Sequence, residues 1–165
     1  MIYQAPVNEL RFALQVHGRL PEVLALPSAA GLDQDTVDAV LEEAGKFAEQ
    51  ELAPTNRTGD LNGAKLVDGK VLTHPDLAQA FAAYRDAGWL GLRAPADYGG
   101  QGLPAVVAAA CEEMWCSANL AFSLLPMLTL GAIEAILSHA SDEQKQTYLP
   151  NMSQGLWSGT MNLTE

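Results

Sequence analysis

Basic residues are scarce in this chain: nine Lys and Arg stand against twenty Asp and Glu, a net charge of −11. So acidic a composition excludes nucleic acid and anionic membrane surfaces as principal partners, because both are bound through clustered cations. Anionic small molecules stay open, since backbone N–H groups and helix N-termini hold them without a basic patch. Cysteine is nearly missing. The two present, Cys111 and Cys116, lie five apart in an apolar helical stretch. That spacing fits neither a redox pair nor a zinc half-site, so buried free thiols in a reducing compartment are expected.

Chemistry-bearing patterns are thin as well. His17, His74 and His139 are dispersed, no metal-ligand spacing occurs, and no serine sits in a nucleophile elbow. Glu112 and Glu113 are adjacent and so point about 100° apart on a helix, which rules them out as a catalytic carboxylate pair. No catalytic residue and no metal ligand is therefore assigned. Also missing is a basic n-region followed by an apolar run at Met1-Ile2-Tyr3-Gln4-Ala5-Pro6, so no signal peptide is read and the cytoplasm is the expected location. Uncharged stretches are short apart from Met114 to Ile133, and there Pro126, four polar residues and the bracketing Glu112, Glu113 and Glu134, with no flanking Lys or Arg, favour a buried helix pair over a membrane span.

What is plentiful is aliphatic side chain. With 48% hydrophobic residues, only 7% aromatics and 165 residues, the chain can bury one real core, built from aliphatic helix faces. The expected class is all-α.

In chain order, residues 8 to 17 predict a short helix with Asn8 as cap and Phe12 and Val16 on its inner side. Leu20 to Pro27, framed by prolines, reads as an extended lid. Asp33 or Asp35 caps a long helix to Leu52 whose buried face is Val37, Val40, Leu41, Ala44, Phe47, Ala48 and Leu52, with a solvated charge run opposite and Pro54 as its stop. From Thr55 to Thr73 the chain turns polar, and Val67-Asp68-Gly69-Lys70-Val71 predicts a tight turn between two extended pieces. His74-Pro75 opens a helix through Ala87 with Leu77, Phe81 and Tyr84 inward, closed by Gly88.

The loop Ala94 to Pro104 carries Gly99, Gly100 and Gly102, and without a lysine or a preceding strand it reads as a turn rather than a phosphate cradle. Pro104 opens a helix with Val107, Cys111, Met114 and Trp115 that ends or restarts at Ser117 or Asn119. The next runs to Ser138, bent or broken near Pro126. Ser141-Asp142-Glu143-Gln144 is a capping box for a helix through Leu149, ended by Pro150. Trp157 to Glu165 then alternates like a strand, and a strand without its sheet should be disordered or paired with another chain.

Three stretches, Pro95-Ala96-Asp97-Tyr98-Gly99-Gly100-Gln101-Gly102, Gln144-Lys145-Gln146-Thr147-Tyr148-Leu149-Pro150 with Gly155, and Gly159-Thr160-Met161-Asn162-Leu163-Thr164-Glu165, resemble the acyl-CoA dehydrogenase family in order and spacing. Tyr3-Gln4-Ala5-Pro6, Phe12 and Asn56-Arg57-Thr58-Gly59-Asp60 are more particularly similar to the branch that includes 3-methylmercaptopropionyl-CoA dehydrogenases. The resemblance implies an N-terminal extension (1–32), the family's N-terminal helical domain (33–155) and the first strand of a middle β domain (156–165), with the rest of the protein beyond.

It also implies FAD as cofactor, an acyl-CoA substrate desaturated between its α and β carbons, electrons passing to an electron-transfer flavoprotein, and a homo-oligomeric parent. Met161, Asn162, Leu163 and Thr164 then become flavin contacts, whose backbone N–H groups and hydroxyl stabilise negative charge on the reduced ring. Phe122 and Leu125 become acyl-pocket residues. The family's catalytic base lies downstream, so Glu165 is not assigned that role and the fragment alone is expected to be inactive. Two further readings stand beside this one: a noncatalytic flavin-binding relative with a changed base, and a free-standing helical interaction module.

Overall fold

The computed structural model describes residues 3–162. Among these residues eight α-helices carry the fold: α1 (Val7–Val16), α2 (Leu20–Leu24), α3 (Gln34–Phe47), α4 (Ala53–Asn62), α5 (Pro75–Asp86), α6 (Ala105–Ala118), α7 (Leu120–His139) and α8 (Asp142–Ser153). The sheet among the described residues is one antiparallel hairpin, β1 (Lys65–Val67) and β2 (Lys70–Leu72), in which Lys65 faces Leu72 and Val67 faces Lys70. Asp68 and Gly69 make its turn with positive φ at both, the twist that a two-residue hairpin needs.

The centre is α3 against α6. Val37, Leu41, Ala44 and Ala48 present a fully buried stripe to Val107, Ala108, Cys111 and Met114. Small residues let the two helices approach closely, and each fully buried leucine such as Leu41 contributes roughly 1.5–3 kcal/mol. Trp115 locks the pair, its Nε1–H donating to the Ala44 carbonyl at 3.2 Å. The N-terminal segment closes over the same seam. Gly45 leaves room for it, since a Cβ there would stand 2.7 Å from Val7 Cγ2, while the Tyr3 hydroxyl donates to the Met114 carbonyl at 2.9 Å.

Three expectations about the first half change. On α1 the buried residues are Leu10 and Leu14, whereas Phe12 (63% exposed) and Val16 (52%) face outward, and Asn8 does not cap the helix but accepts from Arg11 Nη1. The charged side of α3 is what reverses the expectation: Arg11 ion-pairs with Asp38 at 2.7 Å and Glu42 at 3.2 Å, and so sets which side of α1 lies down. Leu20 to Leu24 is helical rather than extended, because Pro21 falls in the first turn, where its missing N–H costs nothing.

Pro54 does not stop the long helix. α3, capped by Asp33 at the Thr36 amide, passes into a π turn at Ala48–Leu52 and continues as α4, with Pro54 in that first turn. Likewise Pro150 lies inside α8, which runs on to Ser153 after the Ser141–Gln144 capping box forms as the sequence predicts.

Trp157 to Asn162 forms no strand; the sheet that would pair it is not among the described residues. The segment instead lies on α7, where the Gly159 amide donates to Thr129 Oγ1 at 3.2 Å. A Cβ at 159 would come within 2.4 Å of Ala132 Cβ, so the contact requires glycine. Leu163, Thr164 and Glu165 lie outside the described residues.

Candidate acyl-chain site

The cavity that stands out lies between α6 and α7 and has a volume of about 330 Å³. Its floor is aromatic. Tyr84, Trp115 and Phe122 meet edge to face, with ring centroids 5.1 Å apart for Tyr84–Trp115 and 5.5 Å for Tyr84–Phe122. Trp89 and Phe47 back Trp115 at 5.2 and 6.4 Å. Each such pair adds about 0.5–1.5 kcal/mol beyond the area it buries, so the floor is rigid.

The α7 wall follows from that helix's own periodicity. Phe122, Pro126 and Leu130 share one edge with Ser123, Met127 and Gly131 beside them, as residues four apart stack at 100° per residue. Gly131 matters by omission: a Cβ built there meets no heavy atom within 4 Å, so the helix is hollowed where a side chain would have filled the cavity. Leu125 lies on the far side of α7, 42% exposed and away from the cavity, so the structure brings Phe122 to it and not Leu125.

The turn between α6 and α7 is one residue. Asn119 ends α6 and caps α7, its Oδ1 accepting from the Phe122 amide at 3.0 Å while its Nδ2 donates to Thr55 Oγ1 at 2.9 Å. Thr55 Oγ1–H in turn donates to the Leu52 carbonyl at the end of the π turn. This buried relay fixes Phe122 relative to the core.

Three charged residues meet the cavity: Arg93 from the loop before the glycines, Glu112 on α6 and Glu134 on α7. Arg93 Nη2 lies 3.8 Å from Glu134 Oε2. Glu112 is half-buried, and desolvation raises its carboxyl above the ordinary value while Arg93 pulls it back in part. Glu112 stands three residues before Trp115 and one after Cys111, and a carboxylate on an otherwise apolar helix face was the sequence signal for it. Arg93 carried no comparable signal.

Cys116 lines the cavity and is exposed, against the expectation that both thiols are buried; it falls past the seam with α3 that covers Cys111. Burial pushes the Cys111 thiol up to about 12. The glycine loop is a turn, as expected, and its amides are spent. Gly99, Gly100, Gln101, Gly102 and Leu103 all donate to backbone carbonyls of residues 91–96, so none remains for a phosphate.

By length and composition alone α7 could cross a membrane. In this fold it packs on α6 and α8, with Ser123 and Thr129 buried and Leu120, Leu124 and Leu125 exposed on its outer side. The expected flavin contacts are not enclosed: Met161 and Asn162 are exposed, and Leu163 and Thr164 lie outside the described residues. Among the described residues, then, there is no closed cradle for a flavin.

The sequence matches the family described as acyl-CoA dehydrogenase, N-terminal domain, over residues 34–156, and the chain belongs to the acyl-CoA dehydrogenase family. Over 165 residues, 100% of this chain and 28% of the relative, it is 44% identical to the 3-methylmercaptopropionyl-CoA dehydrogenase of Ruegeria pomeroyi. A butyryl-CoA dehydrogenase of Syntrophomonas wolfei is 36% identical over 135 residues, 79% of this chain and 22% of that protein.

The chain thus spans less than a third of the length of these relatives. Among solved structures, a chain from "Electron transferring flavoprotein of Acidaminococcus fermentans: Towards a mechanism of flavin-based electron bifurcation" superposes with a TM-score of 0.63 at 23% identity, covering 82% of this chain and 33% of that one. That likeness is one of fold.

Proposed function

We propose that this chain is the N-terminal helical part of an FAD-dependent acyl-CoA dehydrogenase that desaturates a short acyl-CoA, with 3-methylmercaptopropionyl-CoA a candidate substrate and an electron-transfer flavoprotein the acceptor. The observation that carries the reading is the cavity between α6 and α7, apolar, walled by Phe122 and closed below by Tyr84 and Trp115. Its size falls at the small end of ligand sites, suited to an acyl chain and not to a whole coenzyme.

In this reading the chain's residues bind, orient and exclude water. Phe122 and Trp115 desolvate the acyl chain, which keeps the carbon to be deprotonated in a dry site and presents it to a base supplied from elsewhere in the protein. FAD, when bound, supplies the acceptor for the β hydrogen. Gly159 packs on α7 at Thr129 and Ala132, the side of that helix away from the cavity. The outer side of α7 with Leu120 and Leu124 offers a face for the further domains that the relatives possess and for homo-oligomeric assembly.

The test is to produce the protein with the additional domains of its relatives, record the visible flavin spectrum, and add acyl-CoAs of increasing length. Bleaching by short acyl-CoAs is the expected result. Flavin that binds but never bleaches would leave a noncatalytic scaffold, and the absence of flavin binding would overturn the proposal.

A further inference from the structure

We propose that Tyr84 sets the specificity of this cavity: its hydroxyl donates to an acceptor atom within the bound acyl chain, a thioether sulfur or an ether oxygen, and favours such chains over all-carbon chains of the same length. The inference rests on the acyl-site reading above and names the residue that reads the chain.

Tyr84 stands on the aromatic floor and is 1% exposed. Its ring is enclosed by Phe47, Trp115 and Phe122, with centroids 5.8, 5.1 and 5.5 Å away, which leaves the hydroxyl as the part of the residue that meets the cavity. Among the described residues no group hydrogen-bonds to that hydroxyl. Burial, and after it the nearby Glu112, raise the phenol above its ordinary value, so it remains a proton donor at neutral pH.

The other donors around the cavity are engaged or in water. Trp115 Nε1–H donates to the Ala44 carbonyl at 3.2 Å, and Ser123 Oγ–H donates to the Asn119 carbonyl at 3.2 Å. Arg93 lies 3.8 Å from Glu134 with its side chain 41% exposed, so solvent serves its guanidinium whatever enters the cavity. Cys116 is exposed, and its S–H is a weak donor.

An all-carbon chain laid on this floor would cover the Tyr84 hydroxyl and give it no acceptor, and a buried donor left unpaired is costly. A chain with sulfur or oxygen in place of one methylene supplies the acceptor at the same length. A polar group set in an apolar wall discriminates chiefly through this penalty on the ligand that lacks its partner.

The experiment titrates the chain with three pantetheine thioesters that differ at one atom, 3-(methylthio)propionyl, 3-methoxypropionyl and pentanoyl, and follows the Met127 and Leu130 methyl signals by NMR. Affinity for each heteroatom probe relative to pentanoyl-pantetheine should fall about three- to tenfold in Tyr84→Phe, the size of one net hydrogen bond. The ratio within one protein cancels any general effect of the variant on folding, and its change between two proteins cancels the hydration of the chains themselves. Arg93→Gln should leave both ratios within about twofold, as expected for a solvated group.

A fall for one heteroatom probe alone supports the inference and identifies the acceptor. Ratios unchanged in Tyr84→Phe, or ratios that fall in Arg93→Gln instead, would overturn it while leaving the acyl site standing. If no probe shifts the methyls that line the cavity, the acyl-site reading falls and the inference with it.

Discussion

Replacing Gly131 should make the protein more stable and the cavity less able to hold a chain. The residue lies in the interior of α7, where glycine costs about 1 kcal/mol relative to alanine through lost backbone entropy. Usually such a glycine is retained because a Cβ would clash. Here it would meet nothing within 4 Å. Gly131→Ala should therefore stabilise the fold by about 0.5–1 kcal/mol, a rise in Tm of roughly 1–4 °C for a chain of this size. Gly131→Leu should keep part of that gain and place four carbons in the space proposed for the acyl chain. Thermal unfolding followed by circular dichroism measures the first effect, and titration with pentanoyl-pantetheine measures the second. The expected result is Tm up and affinity down by about tenfold for the leucine. A fall in Tm for the alanine would refute the claim that the site is open, and unchanged affinity in a stable leucine variant would refute the claim that the chain lies there.

Gly100→Ala should act the other way, because its Cβ would stand 1.9 Å from the Ala94 carbonyl oxygen; a loss of about 3 kcal/mol or more in chemical denaturation is expected, and a loss under 1 kcal/mol would contradict the loop geometry. Asn119→Ala strands the buried Phe122 amide and removes the donor to Thr55 Oγ1, which keeps its bond to the Leu52 carbonyl, and should cost about 2–4 kcal/mol by the same assay, with Asn119→Asp recovering the cap alone. Glu112 gives a pH signature. Its folded carboxyl titrates above its unfolded value near 4.5, so the folded state binds the extra proton and stability declines as pH rises from about 4.5 through the raised value; in Glu112→Gln that part of the slope should vanish, and an unchanged slope would exclude the assignment. Of the two thiols, exposed Cys116 should react promptly with a maleimide and Cys111 only after unfolding, which mass spectrometry of the labelled peptides reads directly.

Much of the helical framework was legible in the sequence, and for stated reasons. The α3 stripe Val37, Leu41, Ala44 and the Ser141–Gln144 capping box depend on spacing within one helix, which sequence carries directly. The hairpin at Asp68-Gly69 was equally local. Errors arose where a neighbouring element decided the outcome. Phe12 and Val16 have the spacing of a buried face, yet Arg11 pairing to Asp38 and Glu42 turns them outward. Pro54 and Pro150 read as stops, although a preceding π turn and a committed helix absorb them.

The candidate site was legible only in part. Phe122 was named from family likeness, while Tyr84, Glu112 and Arg93 converge from three separate segments that no local pattern joins. Leu125 shares the composition of the cavity wall but not its side of the helix. The hollow at Gly131 was invisible for a related reason, since a glycine in an apolar run says nothing about whether a neighbour fills the space.

Asn119 joins α6 to α7 with no intervening residues, and that leaves the junction without slack. Most links between helices tolerate lengthening because a loop absorbs the extra residue. Here one inserted residue would advance the whole of α7 by about 100° and 1.5 Å. Pro126 and Leu130 would swing out of the cavity, and Thr129 would lose the Gly159 amide. Insertions and deletions in natural relatives should thus collect at the hairpin turn and be absent between residues 115 and 134, where chain length itself sets the shape of the cavity.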